Sequence, residues 1–155
     1  MTQRRRLIAT LAALAGAAGL APARARADEG KAAPQHRAAL QVDEGRAELM
    51  NLVLNNAANI AQHYADKGEA VALEIVAFGP GLAMLRADTS PVRARLDALA
   101  ERLPHLVLSA CENTMRAVEK AEGKPVPLIP QARTVPAGVV RLIELQEQGW
   151  SYIRT

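Results

Sequence analysis

From residue 36 onward the apolar positions switch repeatedly between a period of two and a period near 3.6. Residues 37–42 alternate, with Ala38, Leu40 and Val42 on one side, as a half-buried strand does. In residues 44–67, Leu49, Leu52, Val53, Ala57, Ile60 and Tyr64 recur every three or four positions, which predicts a long helix that Gly68 can end. Residues 71–78 form an almost unbroken apolar run, the pattern of a strand buried on both faces of a parallel sheet. Ser90-Pro91 offers a helix cap followed by proline at the first helical position, and Val92, Leu96, Leu99 and Leu103 make the stripe of that helix. Residues 105–110 predict a third strand and 114–122 a short helix ending near Gly123. Residues 132–135 predict a fourth strand, 138–148 a fourth helix and 151–153 a short fifth strand. Strands alternating with helices predict one α/β domain over residues 36–155, its parallel sheet covered on both faces.

The first 27 residues break this pattern. Arg4, Arg5 and Arg6 precede an uncharged Ala/Leu/Gly run over residues 7–21, and Ala25-Arg26-Ala27 supplies small residues flanking a cleavage site. Basic, then apolar, then small is the order of a signal peptide. An apolar run of about 15 residues falls short of the ~20 that a spanning helix needs. Arg4-Arg5-Arg6-Leu7-Ile8 further resembles a twin-arginine signal. The expectation is an exported, periplasmic protein with a flexible leader over residues 28–35. Cleavage after Ala27 would remove five arginines and take the net charge from +3 to about −2. The basic balance thus belongs to the signal, and a nucleic-acid surface loses its support. No membrane attachment is expected once the signal is gone.

In parallel sheets the functional crevice lies beyond the carboxyl ends of the strands. Three loops fall there: Gly79-Pro80-Gly81 with the segment to Ser90, Cys111-Glu112-Asn113, and Pro136-Ala137-Gly138. The first is a poor dinucleotide turn, because Met84 stands where a third glycine would fall and Pro80 lacks an N–H. It reads better as a sharp strand exit, with Met84 and Leu85 available to an apolar pocket or a subunit contact. Cys111 is the only cysteine, so no disulfide forms within the chain. It follows a strand and precedes a helix expected to be capped by Asn113 or Thr114. The unpaired amides of a helix start favour a thiolate; Arg116 would add to this and Glu112 oppose it. The alternative is a small buried apolar residue. On the long helix, Asn51, Asn55 and Asn59 follow the polar side, while Asn56 falls among Leu52, Val53 and Ile60, where a buried amide needs partners. His36, His63 and His105 show no ligand spacing, so neither a metal nor a cofactor is expected.

Five segments in this order carry a resemblance to a known family. They are Asn56-Ala57-Ala58-Asn59; Val76-Ala77-Phe78-Gly79-Pro80-Gly81 with Met84-Leu85; Ala110-Cys111-Glu112-Asn113-Thr114-Met115; Val135-Pro136-Ala137-Gly138-Val139; and Gln148-Gly149-Trp150-Ser151-Tyr152-Ile153. From about residue 36 to the end the chain resembles the small single-domain branch of the DsrE/DsrF-like family. The resemblance implies a three-layer α/β/α fold with a mostly parallel sheet of about five strands, and assembly into trimers or hexamers. It implies a sulfur-relay role, in which Cys111 carries a persulfide between donor and acceptor proteins. Asn113 and Thr114 would shape the turn, and Asn56, Asn59, Gly79, Gly81 and Gly138 would line the crevice. The export signal and the proline-rich stretch 123–130 depart from the sulfur-relay members. A non-catalytic oligomeric module that binds a small ligand is the alternative.

Overall fold

The computed structural model describes residues 34–155. The expected signal peptide and all of the leader but Pro34 and Gln35 lie outside the described residues. Five strands form one sheet: β1 (His36–Val42), β2 (Val71–Ala77), β3 (Leu106–Cys111), β4 (Ala132–Val135) and β5 (Ser151–Ile153). Their order is β4-β3-β2-β1-β5, and every neighbouring pair is parallel. The helices are α1 (Ala47–Ala65), α2 (Arg93–Arg102), α3 (Glu112–Glu122) and α4 (Gly138–Glu147), with a 3-10 segment over Gly79–Leu85. The α/β architecture expected from the alternation is therefore present.

The two faces of the sheet are covered unequally. Alternate residues of the central strands, among them Leu40, Leu73, Ile75, Leu108 and Ala110, turn to one face. There they pack with Met50, Val53, Leu54 and Ala57 of α1, Leu96 and Leu99 of α2, and Met115 and Val118 of α3. Fully burying side chains of this size contributes about 1.5–3 kcal/mol each. The opposite face has a thinner seat, in which Leu142 and Leu145 of α4 meet Ala39 and Val76, flanked by Phe78 and Trp150. Three apolar layers thus become one thick and one thin interface on a shared sheet.

The crossovers explain this inequality. From β1 to β4 the chain steps one strand at a time in one direction, and right-handed crossovers then put every connecting helix on one face. From β4 it returns across the sheet to lay β5 beside β1, and the reversal puts α4 on the other face. Trp150 and β5 close the edge of β1, where Ala38, Ala39 and Leu40 pair with Ser151, Tyr152 and Ile153.

Several local expectations shift. Helix α1 starts at Ala47 rather than residue 44, Arg46 before it being extended and Gly45 lying close to Pro80. Helix α2 starts at Arg93; Ser90 holds the preceding turn, its hydroxyl donating to the Met84 carbonyl at 2.7 Å and accepting from the Val92 amide. Met84 and Leu85 are fully buried in the main core, so they offer neither a pocket wall nor a subunit contact. Leu52 is exposed, while Met50 and Leu54 take the buried positions of α1.

Candidate functional site

The strand order has one place where chains leaving adjacent strands part. The chain leaving β3 turns into α3 on the thick side, whereas the chain leaving its neighbour β4 turns into α4 on the thin side. In open parallel sheets such a switch point opens the crevice where ligands bind. Cys111, the last residue of β3, stands there, paired in register with Val135 at the end of β4.

Cys111 does two jobs in the backbone. It ends β3, and it is also the N-cap residue of α3, which begins at Glu112. The expected cap at Asn113 or Thr114 is thus displaced, because the strand runs straight into the helix. Asn113 and Thr114 become the second and third helical residues, whose amides a capping oxygen ordinarily accepts. No conventional side-chain bond caps this end; the Thr114 amide faces the Cys111 sulfur instead, and the Asn113 amide is shared between that sulfur and the Pro136 carbonyl, 3.3 Å away. The amide of Gly138, first residue of α4, faces it too. Two helix starts therefore converge on one sulfur.

Thr114 adds a hydroxyl. Its Oγ1 accepts the Gly79 amide at 2.9 Å, which leaves the hydroxyl proton free to donate to Cys111. Burial (Cys111 is 4% exposed) pushes the thiol up. The Thr114 hydroxyl and the amides of Gly138, Thr114 and Asn113 outweigh it, and the thiol titrates below its ordinary value. Arg116 turns away to Glu112 and to the Asn113 side chain.

The residues expected at the crevice divide in two. Cys111, Asn113, Thr114, Gly79 and Gly138 come together. Gly138 must be glycine, since a Cβ there would sit 2.8 Å from Cδ1 of Phe78. Gly81 is close by but serves packing: a Cβ would lie 2.2 Å from the Val42 carbonyl oxygen. Asn56 and Asn59 are not brought to Cys111. Both are on α1, across the sheet from the sulfur. Helix α1 runs antiparallel to the strands, so Asn59 opens onto the amino ends of β1, β2 and β5. There it borders a separate cavity of about 380 Å³ with His36, His63, Tyr64, Val71 and Ser151. His36 stacks on Tyr64 and pairs with Glu69 at 3.0 Å. Among the described residues no group of three His, Cys, Asp or Glu side chains converges as metal ligands would.

No family model matches the chain, and no curated protein matches it. A solved structure does. The chain is similar, at 28% identity and a TM-score of 0.66, to a protein of unknown function, MTH1491, from Methanobacterium thermoautotrophicum. The match covers 77% of this chain and 99% of that one. It supports the fold and carries no activity.

One group beside the site was not singled out from the sequence. Glu74 lies mid-strand in β2, buried, on the face that Cys111 shares. Arg141 of α4 donates to both its oxygens at 2.8 Å, Ser109 to Oε1 at 2.7 Å and Arg133 to Oε2 at 3.0 Å. Burial raises its pKa, and these bonds reverse that and hold it below the usual carboxylate range. Beside the cluster, between β4 and α4, is a cleft of about 350 Å³ bordered by Arg133, Val135, Ala137, Val140 and Arg141. The signal was present: a carboxylate inside an apolar strand is far too costly to bury without cations.

Proposed function

We propose that this chain is an exported member of the DsrE/DsrF-like family and that it carries sulfur on Cys111 as a persulfide. The observation that supports the reading is the convergence of two helix starts and the Thr114 hydroxyl on a lone thiol at the sheet's switch point. Donors of this kind favour the thiolate, the form that attacks sulfur. The Cys111 thiolate attacks the outer sulfur of a persulfide or polysulfide donor, R–S–SH. A new S–S bond forms at Cys111 as the donor's S–S bond breaks. The donor leaves as the thiolate RS⁻ and Cys111 is left as Cys–S–SH, with no external oxidant or reductant. Transfer to an acceptor thiol is the same exchange in reverse. Donor and acceptor proteins and a homo-oligomeric assembly, trimer or hexamer, belong to this reading, as does a periplasmic location; nucleic acid and a resident cofactor do not.

The purified protein exposed to polysulfide should gain the mass of one sulfur atom per chain, and reductant should remove it. Equal uptake by Cys111→Ser would end the carrier reading. The burial of Cys111 favours a second reading, in which the thiol is packed and the protein is a non-catalytic binding module. That reading expects native Cys111 to resist alkylation.

A further inference from the structure

The inward stripe of α4 is Gly138, Leu142 and Leu145, all buried, with the half-buried Arg141 among them, spaced as one face of a helix. Three of the four are ordinary contacts: glycine on Phe78, and two leucines on Ala39 and Val76. The fourth is an arginine one turn beyond Gly138, held in a two-pronged bond to Glu74. On β3, Ser109 bonds Glu74 and Cys111 lies two residues further on, so both turn to the same face of the sheet. Clamp and sulfur are thus consecutive positions on that face, as Arg141 and Gly138 are consecutive turns of α4.

We propose that Glu74 and Arg141 are positioning residues for Cys111: their clamp fixes the first turn of α4, which begins three residues after Val135, the strand partner of Cys111. The proposal rests on the reading of Cys111 as a working thiolate. The seat of α4 is otherwise thin, two leucines on an alanine and a valine, and its outer side carries exposed Val139, Val140 and Ile143. The hydrophobic attraction that holds so thin a seat is non-directional. A planar guanidinium bonded through two nitrogens to both oxygens of a carboxylate adds a fixed orientation. Ser109 and Arg133 fix the carboxylate in turn, the Arg133 Nε donating to the Ser109 hydroxyl at 3.2 Å. The charged side chains on the elements that meet at the junction pair largely among themselves, and Asp43 lies in the loop after β1, beside Gly79 and Gly81. Glu74 faces the junction from β2, Arg133 from β4 and Arg141 from α4, where Glu144 pairs with Arg141. Glu112 and Arg116 of α3 pair with each other, and the 3-10 segment carries no ionisable side chain.

The test uses two readouts on the full protein: the pH profile of Cys111 alkylation, and amide hydrogen exchange over residues 137–142. Arg141→Lys keeps the charge and loses the fork. Glu74→Leu/Arg141→Met replaces the pair by apolar side chains, a change that buried ion pairs often tolerate without loss of fold. In both variants the alkylation midpoint should rise by about one pH unit, a roughly tenfold slower reaction near neutral pH. Exchange at residues 137–142 should quicken while β2 and β3 stay protected. Wild-type behaviour of the folded double variant in both readouts would overturn the clamp. So would a wild-type profile for Arg141→Lys, which would assign the effect to charge alone. Failure of the carrier reading looks different. There, wild-type Cys111 is unreactive or titrates as an ordinary thiol, and the exchange measurement still decides the clamp.

Discussion

At the scale of single residues, the site turns on which groups face one sulfur atom. A thiol lowered by hydrogen bonds reacts over a wider pH range, because the thiolate fraction sets the rate. Thr114→Val keeps the shape of the side chain and removes both the donor to Cys111 and the acceptor for the Gly79 amide. The alkylation midpoint should rise by roughly one pH unit as the thiolate loses a bond that favours it; an unmoved midpoint would take Thr114 out of the site. The place of Cys111 was readable because an apolar strand pattern passes there into a helical stripe. Glu74 was read through, since seven apolar neighbours outweigh one carboxylate in any periodicity. Its partners, Arg133 and Arg141, stand 59 and 67 residues away, a separation no local pattern bridges.

Among the elements, the boundaries that moved did so for tertiary reasons. The sequence signal for α3 began at Thr114, a good capping residue, yet β3 passes directly into the helix and Cys111 takes the cap position. The 3-10 segment after β2 was invisible as an element, because its shape is set by Gly81 packing against the Val42 carbonyl. That segment is tied to α3 by Arg86, which is nearly buried and pairs with both Asp88 and Glu122. Arg86 holds the Asp88 carboxyl down to about 2 and Glu122 below its ordinary value. Groups depressed on folding stabilise above their unfolded pKa, near 4, and that contribution is lost as pH falls through the folded values. The thermal midpoint should therefore drop between about pH 4 and pH 2. In Arg86→Met the drop across that window should be shallower, since the carboxyls no longer differ between states through Arg86. Parallel curves for the two proteins would remove Arg86 from acid stability.

For the whole molecule, the parallel sheet was legible because each strand is an apolar run and each crossover a periodic stripe. What the pattern left open was the strand order, and the order decides the site: only the return from β4 to β5 puts α4 opposite α3 and opens the switch point at Cys111. The same order carries Asn59 to the far end of the sheet, although the family resemblance had implied a place for it at the crevice. A further consequence concerns the single thiol under oxidising conditions, where a free cysteine would ordinarily pair between chains. A disulfide needs sulfurs about 2.05 Å apart and Cα atoms within about 7 Å. Cys111 is the last residue of an interior strand, paired with Val135 of β4 and buried at 4% exposure. A small polysulfide needs only one sulfur atom at the thiolate, whereas a second copy would have to bring its own buried cysteine to the same spot. The native protein held in an oxidising buffer should therefore run as a single chain in denaturing, non-reducing electrophoresis after its remaining thiols are blocked. Unfolding it before oxidation should allow cross-linked dimers to form. Rapid cross-linking of the native protein would mean that two copies can bring their sulfurs together, and that the packing over Cys111 opens far more than this arrangement allows.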